Sequence, residues 1–311
     1  MKKSVRHYKR KSSGNPVAGI FFLLIIGLCG FFGWRLLPLI SKVHGSKFDR
    51  VNILVSGGQN VLISYNVLGK SFVVVKIPGN LYVTGLIHGY GNYQSASIYQ
   101  VGELDKRGGE TVQGSMQEYL GVPVDNYFIT DREVKDVKTF FLSPDFLVQP
   151  KSNMGFIDRL TLLANVSNVR FDRIRTVDLG ENASTLVLAD GSQTLSLDPA
   201  EVDKILQGSL VENQIQDENF RVEIINSTDL NGLGARAVRL LTNIGLSVIN
   251  VESNTQRLDT CTIFATEDSI KSLTVARIAN IYKCQVSKKP TEDRAAVTVK
   301  LGRNYASFLT Q

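Results

Sequence analysis

Residues 76–83 read Lys-Ile-Pro-Gly-Asn-Leu-Tyr-Val and follow directly on a near-continuous apolar run over residues 71–77. A run of this kind is typical of a central strand that is buried on both faces. Two further strands are predicted at residues 51–55 and 61–65, and residues 66–70 are predicted to form the turn that leads into the central strand. The sequence therefore predicts a β-rich region that begins soon after residue 48.

The segment 76–83 resembles the Ile-Pro-Arg-Asp-x-Tyr-Val motif of the LytR-CpsA-Psr (LCP) family, with Gly79 in place of the arginine and Asn80 in place of the aspartate. The resemblance implies transfer of glycopolymers from a polyprenyl-pyrophosphate carrier to the bacterial cell wall, with arginines and aspartates holding the pyrophosphate and a divalent metal. Gly79 and Asn80 are neutral, so they cannot offer the charged, bidentate contacts that a pyrophosphate needs. The resemblance thus implies the fold of the family and argues against its chemistry.

A second stretch, Gly-Val-Pro-Val-Asp-Asn-Tyr at residues 121–127, also resembles the family, in which a helix ending in Leu-Gly leads into a similar strand. A helix is predicted at residues 110–120, and Gly121 can end it in the left-handed conformation. Further helices are predicted at 155–164 and from Asp198, and a strand at 171–177. The arginine-rich segment of the family is missing, since residues 130–154 contain Arg132 as their sole arginine.

The candidate binding residues are those at positions that match the degenerate family site: Ser56, Gln59, Asn60, Lys76, Gly79 and Asn80. Family members carry an aspartate in the loop after the first strand and another at the start of the next strand, and this chain has neither. Because Mg²⁺ prefers charged oxygen ligands, no metal site, no cofactor and no catalytic residue is predicted. Ser56, Gln59 and Asn60 can hydrogen-bond a sugar or a phosphate, or they can simply form a polar turn.

From residue 220 onward the sequence resembles the LytR C-terminal type of domain, on Val-Glu-Ile-Ile-Asn-Ser-Thr at 222–228 and Gly-Leu-Gly-Ala-Arg at 232–236. The resemblance continues through Gly-Leu-Ser-Val at 245–248 and implies a small sandwich of two helices on a sheet. Thr266 is predicted to cap the second helix. Cys261 and Cys284 fall on predicted strands, where they form either a disulfide or two independently buried thiols.

The N-terminus combines a basic tail at 1–16 with an apolar segment, of which residues 17–34 are eighteen residues without a charge. This pattern predicts a transmembrane helix at 17–40 with the tail in the cytoplasm and the rest of the chain outside. A cleaved signal peptide is the alternative, but the apolar segment is long and no small-residue cleavage site follows. The tail accounts for the net charge of +6, so nucleic-acid binding is not predicted.

The chain is therefore predicted to be an α/β protein with a degenerate LCP-like domain at 48–212, a linker at 213–219 and a LytR C-terminal-type domain at 220–304. The predicted function is non-catalytic binding or scaffolding at the cell envelope, with a glycan such as peptidoglycan, a polyprenyl-linked precursor or an envelope protein as partner. The alternative is a divergent Mg²⁺-dependent glycopolymer transferase that uses Lys76, Arg107 or Arg132. An apolar cavity for the lipid tail and a filled hydrophobic core explain the apolar runs at 72–77 and 156–163 equally well.

Overall fold

The computed structural model describes residue 27 and residues 48–148, 151–167, 169–288 and 294–310. The basic tail predicted at 1–16 and the membrane span predicted at 17–40 lie outside these residues, apart from Gly27. Within the described ranges, no helix combines the length and the apolar character needed to cross a bilayer. Residues 46–311 form one compact unit.

The described strands and helices are numbered along the chain. The strands are β1 (Arg50–Ser56), β2 (Asn60–Asn66), β3 (Ser71–Ile77), β4 (Tyr82–Leu86), β5 (Gly91–Gln94), β6 (Asn126–Ile129), β7 (Ile174–Asp178), β8 (Ser184–Val187), β9 (Gln193–Ser196), β10 (Arg221–Asn226), β11 (Ser247–Ser253), β12 (Thr262–Ala265), β13 (Gln285–Lys288) and β14 (Val297–Leu301). The helices are α1 (Ile98–Glu103), α2 (Gly108–Leu120), α3 (Val137–Phe141), α4 (Pro144–Val148), α5 (Phe156–Val166), α6 (Pro199–Leu206), α7 (Asn213–Glu218), α8 (Leu233–Asn243), α9 (Leu273–Tyr282) and α10 (Arg303–Thr310).

The first sheet has the order β6-β1-β2-β3-β7, and it is mixed because β6 and β7 run parallel to their neighbours while β1, β2 and β3 are antiparallel. This arrangement confirms the predicted α/β class with a central mixed sheet. Leu54, Val75 and Ile77 on one face belong to a core that also includes residues of α2 and α6. The other face carries a phenylalanine cluster, which we define as Phe72, Phe128, Phe141 and Phe146 and which packs with α5.

The second sheet has the order β11-β10-β14-β12-β13, and the buried faces of α8 and α9 share its core. Strands β12 and β13 are parallel neighbours with Thr262 opposite Gln285. The residues just before them, Cys261 and Cys284, form a disulfide with their Cα atoms 4.4 Å apart. The sequence leaves open whether these cysteines pair. The register of β12 and β13 brings them next to each other.

Three local predictions need correction. Residues 171–177 were predicted as a strand, but Phe171–Arg173 form a 3₁₀ turn and β7 begins only at Ile174. The segment predicted as a linker at 213–219 contains helix α7. Thr266 does not cap α9, because its hydroxyl contacts Ser269 within a turn and Ser272 caps the helix by accepting from the amide of Val275. The division of the chain into domains at 212 and 220 stays a prediction.

Removing the disulfide by the double change Cys261→Ser and Cys284→Ser is expected to lower the free energy of unfolding by about 3 kcal/mol. The physical reason is that the bond closes a loop with a sequence separation of 23 residues and so restricts the unfolded chain. Urea unfolding of residues 46–311 measures the loss, and added reductant should leave the double variant unchanged. A loss well below about 1 kcal/mol would contradict this expectation.

Candidate functional site

The turn at residues 78–80 lies against the loop at 56–60 with no room for a side chain at position 79. A Cβ atom on Gly79 would overlap the carbonyl oxygen of Gly58 and lie 3.3 Å from the Cβ of Ala96. The carbonyl of Gly79 accepts a hydrogen bond from the amide of Ala96 at 3.0 Å, which fixes the turn in this position. Gly79 therefore has a structural role as well as being uncharged, because the carbonyl of Gly58 approaches so closely that only glycine fits at this position.

The loop at 56–60 is held by neutral partners. The carbonyl of Ser56 accepts from the amide of Thr130 at 2.9 Å. The Nδ2 atom of Asn60 donates to the carbonyl of Ser95 at 2.7 Å, and the Ser95 hydroxyl donates to the carbonyl of Pro78 at 2.5 Å. Asn60 is fully buried, and its Oδ1 atom has no hydrogen-bond partner among the described residues. The loop and the turn thus form one neutral, tightly packed neighbourhood.

The remaining candidate residues lie at the borders of this neighbourhood. Gln59 is half-buried, and Asn80 is exposed. The carbonyl of Asn80 accepts from the amide of Leu195 at 3.0 Å, so its backbone anchors β9. Lys76 instead lines a groove of about 410 Å³ together with Arg175. None of the other candidate residues lines this groove. The structure therefore brings loop 56–60 and turn 78–80 together and leaves Lys76 beside them.

The two arginines of the alternative prediction take part in local structure. Arg132 pairs with Asp145 at 2.6 Å, and the Arg132 side chain is exposed while Asp145 is half-buried. Arg107 is the residue that precedes α2. The described residues contain no group of three or more His, Cys, Asp or Glu side chains placed to hold a metal ion.

Sequence reasoning missed a buried ionic cluster between the segments predicted as separate domains. We define the ionic joint as Arg277, Glu212 and Asp125. Arg277 is fully buried on α9 and pairs with Glu212 at 2.7 Å and with Asp125 at 2.5 Å. Asp125 also accepts from the amide of Asn52 in β1 at 2.8 Å, so the cluster is tied to the first sheet. No local sequence pattern identifies partners that are 65 and 152 residues away from Arg277.

The ionic joint contains one cation and two carboxyl groups, and the buried guanidinium of Arg50 also interacts electrostatically with Glu212. Burial raises the pKa of Glu212 to about 7, although Arg277 acts in the opposite direction. Burial alone would lower the pKa of Arg277, but Asp125 and Glu212 together hold it above its ordinary value. Near neutral pH, the carboxyl of Glu212 can therefore keep a proton while Arg277 stays charged.

A second contact joins the same two segments at the end of α2. Arg239 of α8 donates to the carbonyls of Glu118 and Tyr119 at 2.6 and 2.9 Å, and it pairs with Asp203 at 2.8 Å. Gly121 has a φ of 65° and lies so close to Arg239 that a Cβ atom there would be 2.7 Å from its Cζ. The last carbonyls of α2 are thus satisfied by a side chain from the other segment.

Comparison with known proteins gives one match to a family model. The model described as LytR cell envelope-related transcriptional attenuator matches residues 219–305. No curated protein matches the chain.

Similar solved structures include TagV from B. subtilis, which is 12% identical with a TM-score of 0.39 over 51% of this chain and 95% of that one. The LytR-CPS2A-psr family protein YwtF (TagT) with bound octaprenyl pyrophosphate lipid is 15% identical, with a TM-score of 0.38 over 50% and 87% of the two chains. TagT bound to LIIa-WTA is 16% identical, with a TM-score of 0.38 over 50% and 91%.

The substitution Gly79→Arg is expected to destabilise residues 46–311 by about 2 kcal/mol or more, because the new Cβ atom has to displace the carbonyl of Gly58. Asn80→Asp is the matched control, since its side chain is exposed and the change should cost less than about 0.5 kcal/mol. Thermal and urea unfolding measure both variants. Equal stability of the two variants would show that the turn is not closely packed.

The raised pKa of Glu212 predicts a specific pH dependence of stability. Between about pH 4.5 and pH 7, the folded chain keeps a proton that the unfolded chain releases. The contribution of Glu212 to the free energy of unfolding is therefore complete below pH 4.5 and is lost as the pH rises through 7. Relative to Glu212→Gln, the unmodified chain should lose at most about 3 kcal/mol across this window. Urea unfolding at several pH values measures the difference, with Glu181→Gln as an exposed control. Parallel profiles for the unmodified chain and Glu212→Gln would refute the assignment.

Proposed function

We propose, on the match of residues 219–305 to the family model described as LytR cell envelope-related transcriptional attenuator, that the chain is a membrane-anchored, extracytoplasmic LCP-like protein without transferase activity. It acts as a binding or scaffolding component of the bacterial cell envelope. The cytoplasmic tail, the membrane span and the LCP-like identity of residues 48–212 are part of this proposal.

The observation that carries the proposal is the contact between Gly79 and Gly58. The family resemblance puts a phosphate-binding arginine at position 79, and here the space beside that position is filled by a backbone carbonyl. The hydrogen-bond partners of the neighbouring loop are Ser95 and Thr130, which are both neutral. A neutral, closed turn cannot stabilise the charge that develops on a transferred pyrophosphate.

The packing of the first sheet favours a protein that does not retain a polyprenyl tail. Ring centroids in the phenylalanine cluster are 4.9 Å apart for Phe141 and Phe146 and 5.8 Å apart for Phe72 and Phe141. The opposite face is covered by the core shared with α2 and α6. The described side chains on both faces of the sheet thus pack against one another, as in a filled hydrophobic core.

Two features suit a scaffold outside the cytoplasm. The disulfide between Cys261 and Cys284 is the kind of bond that persists in oxidising compartments. The ionic joint and Arg239 connect the two segments through buried or half-buried charged contacts, which are costly to break. Residues 46–311 would thus present their surfaces in a fixed relation to each other.

Native mass spectrometry of residues 46–311, purified from a bacterial host, is expected to show the mass of the polypeptide without polyprenyl phosphate. TagT prepared in the same way is the matched control, because a complex of that protein with octaprenyl pyrophosphate is known. An assay with a lipid-linked donor and Mg²⁺ is expected to show no transfer. Retained lipid together with transfer that is lost in Arg107→Ala or Arg132→Ala would replace this proposal by the divergent transferase.

A further inference from the structure

A cavity of about 480 Å³, which we call the joint groove, lies between α2 on one side and α9 and α10 on the other. Its volume is within the range of small-molecule sites. Much of its wall consists of carboxamides and an aromatic ring: Gln113, Gln117, Asn153, Asn280, Asn304 and Phe308. None of the residues proposed from the family motifs lines it.

Hydrogen bonds hold the carboxamides of the groove in place, but they do not use all of the amide hydrogens. Gln113 donates to the carbonyl of Val124 at 2.6 Å and accepts from Asn153 at 3.2 Å. Asn304 accepts from the amide of Cys261 at 2.9 Å and donates one amide hydrogen to a carbonyl of α9. Since a carboxamide nitrogen carries two hydrogens, Asn153 and Asn304 each retain one for a ligand. These donors are therefore positioned before any ligand arrives.

Phe308 supplies an apolar surface on the wall formed by α10. Its ring stacks on that of Tyr305 with centroids 5.9 Å apart and contacts the ring of His88 edge-to-face at 5.7 Å, and it remains half-buried. A Cβ atom on Gly114 would lie 2.6 Å from the ring of Phe308, so the glycine in α2 allows the close approach of α10. A flat aromatic face next to polar donors suits a ligand that has both C–H surfaces and hydroxyl or amide groups.

The charges in the groove argue against a phosphate ligand. Glu110 is exposed at the rim and Asp125 contributes a carboxylate from the ionic joint, while Lys283 is the basic residue in the lining. The ammonium of Lys283 is 3.5 Å from the Oδ1 atom of Asn280. A polyphosphate requires several guanidinium or ammonium groups, whereas a carboxylate can accept hydrogen bonds from sugar hydroxyls.

We propose that the joint groove binds a neutral glycan segment, with Glu110, Asn153, Asn280 and Asn304 as hydrogen-bonding residues and Phe308 as the surface under a sugar ring. This inference rests on the proposed binding role at the envelope and gives it a ligand class and a place in the fold. The groove is built from both segments, so a glycan bound there contacts them together.

The test measures binding of chitotetraose, an uncharged tetramer of N-acetylglucosamine, to the full-length chain in detergent by calorimetry and ligand-observed NMR. The double change Glu110→Gln with Asn280→Ala removes ligand-facing groups, whereas Glu181→Gln with Asn182→Ala makes the same two changes at exposed positions outside the groove. We expect saturable binding that is at least tenfold weaker in the groove variant and unchanged in the control variant. Circular dichroism and unfolding curves establish that both variants fold.

Absence of saturable binding, or equal binding by both variants, would overturn the inference. Binding of inorganic pyrophosphate in the groove in preference to chitotetraose would also overturn it. The result of the chitotetraose test is independent of the result of the lipid and transfer test of the proposed function. Retained polyprenyl lipid with active transfer refutes the non-catalytic role, whether or not chitotetraose binds. A chain that is lipid-free and inactive and does not bind chitotetraose refutes only the proposed glycan site in the joint groove.

Discussion

The ion pair of Arg277 with Glu212 and Asp125 is the contact on which the arrangement of residues 46–311 depends. Arg277 and Glu212 are fully buried, and a buried charge that loses its partner costs several kcal/mol. Asp125 is bonded to β1 through the amide of Asn52, so the cluster links α9 directly to the first sheet. The contact thus favours an orientation of the two segments in which Arg277 is compensated, and the joint groove, which Asp125 lines, lies next to it.

The turn at Gly79 combines the absence of a side chain with close packing of two backbone segments. Gly79 can lie against the carbonyl of Gly58 because it has no side chain, and the same absence removes the charge that the family resemblance would place there. Asn60, in the same loop as Gly58, is buried and donates a hydrogen bond to the carbonyl of Ser95. Turn 78–80 and loop 56–60 thus pack closely on each other, whereas the joint groove is lined by several carboxamides.

Much of the local structure was predictable from sequence because its causes are local. The apolar run at Ser71–Ile77 gave the central strand, and Gly121 ends α2 with the expected positive φ. Residues 213–218 were misjudged as a linker, since polar composition does not reveal that the buried side chain of Ile215 anchors α7. The start of α9 was misplaced because Thr266 and Ser272 are both good caps, and only the fold decides which of them caps the helix.

The sequence by itself determined the central strand β3, the end of α2 at Gly121, the neutrality of turn 78–80 and the resemblance of the C-terminal segment to the LytR C-terminal type of domain. These features depend on residue type and short-range spacing. Tertiary structure alone decided the pairing of Cys261 with Cys284, the closure of the space beside Gly79 and the ionic joint. Arg277 and Asp125 are 152 residues apart, and no periodicity along the chain records that distance. Such contacts arise only when the sheets have formed and their packing brings distant charges into the same low-dielectric interior.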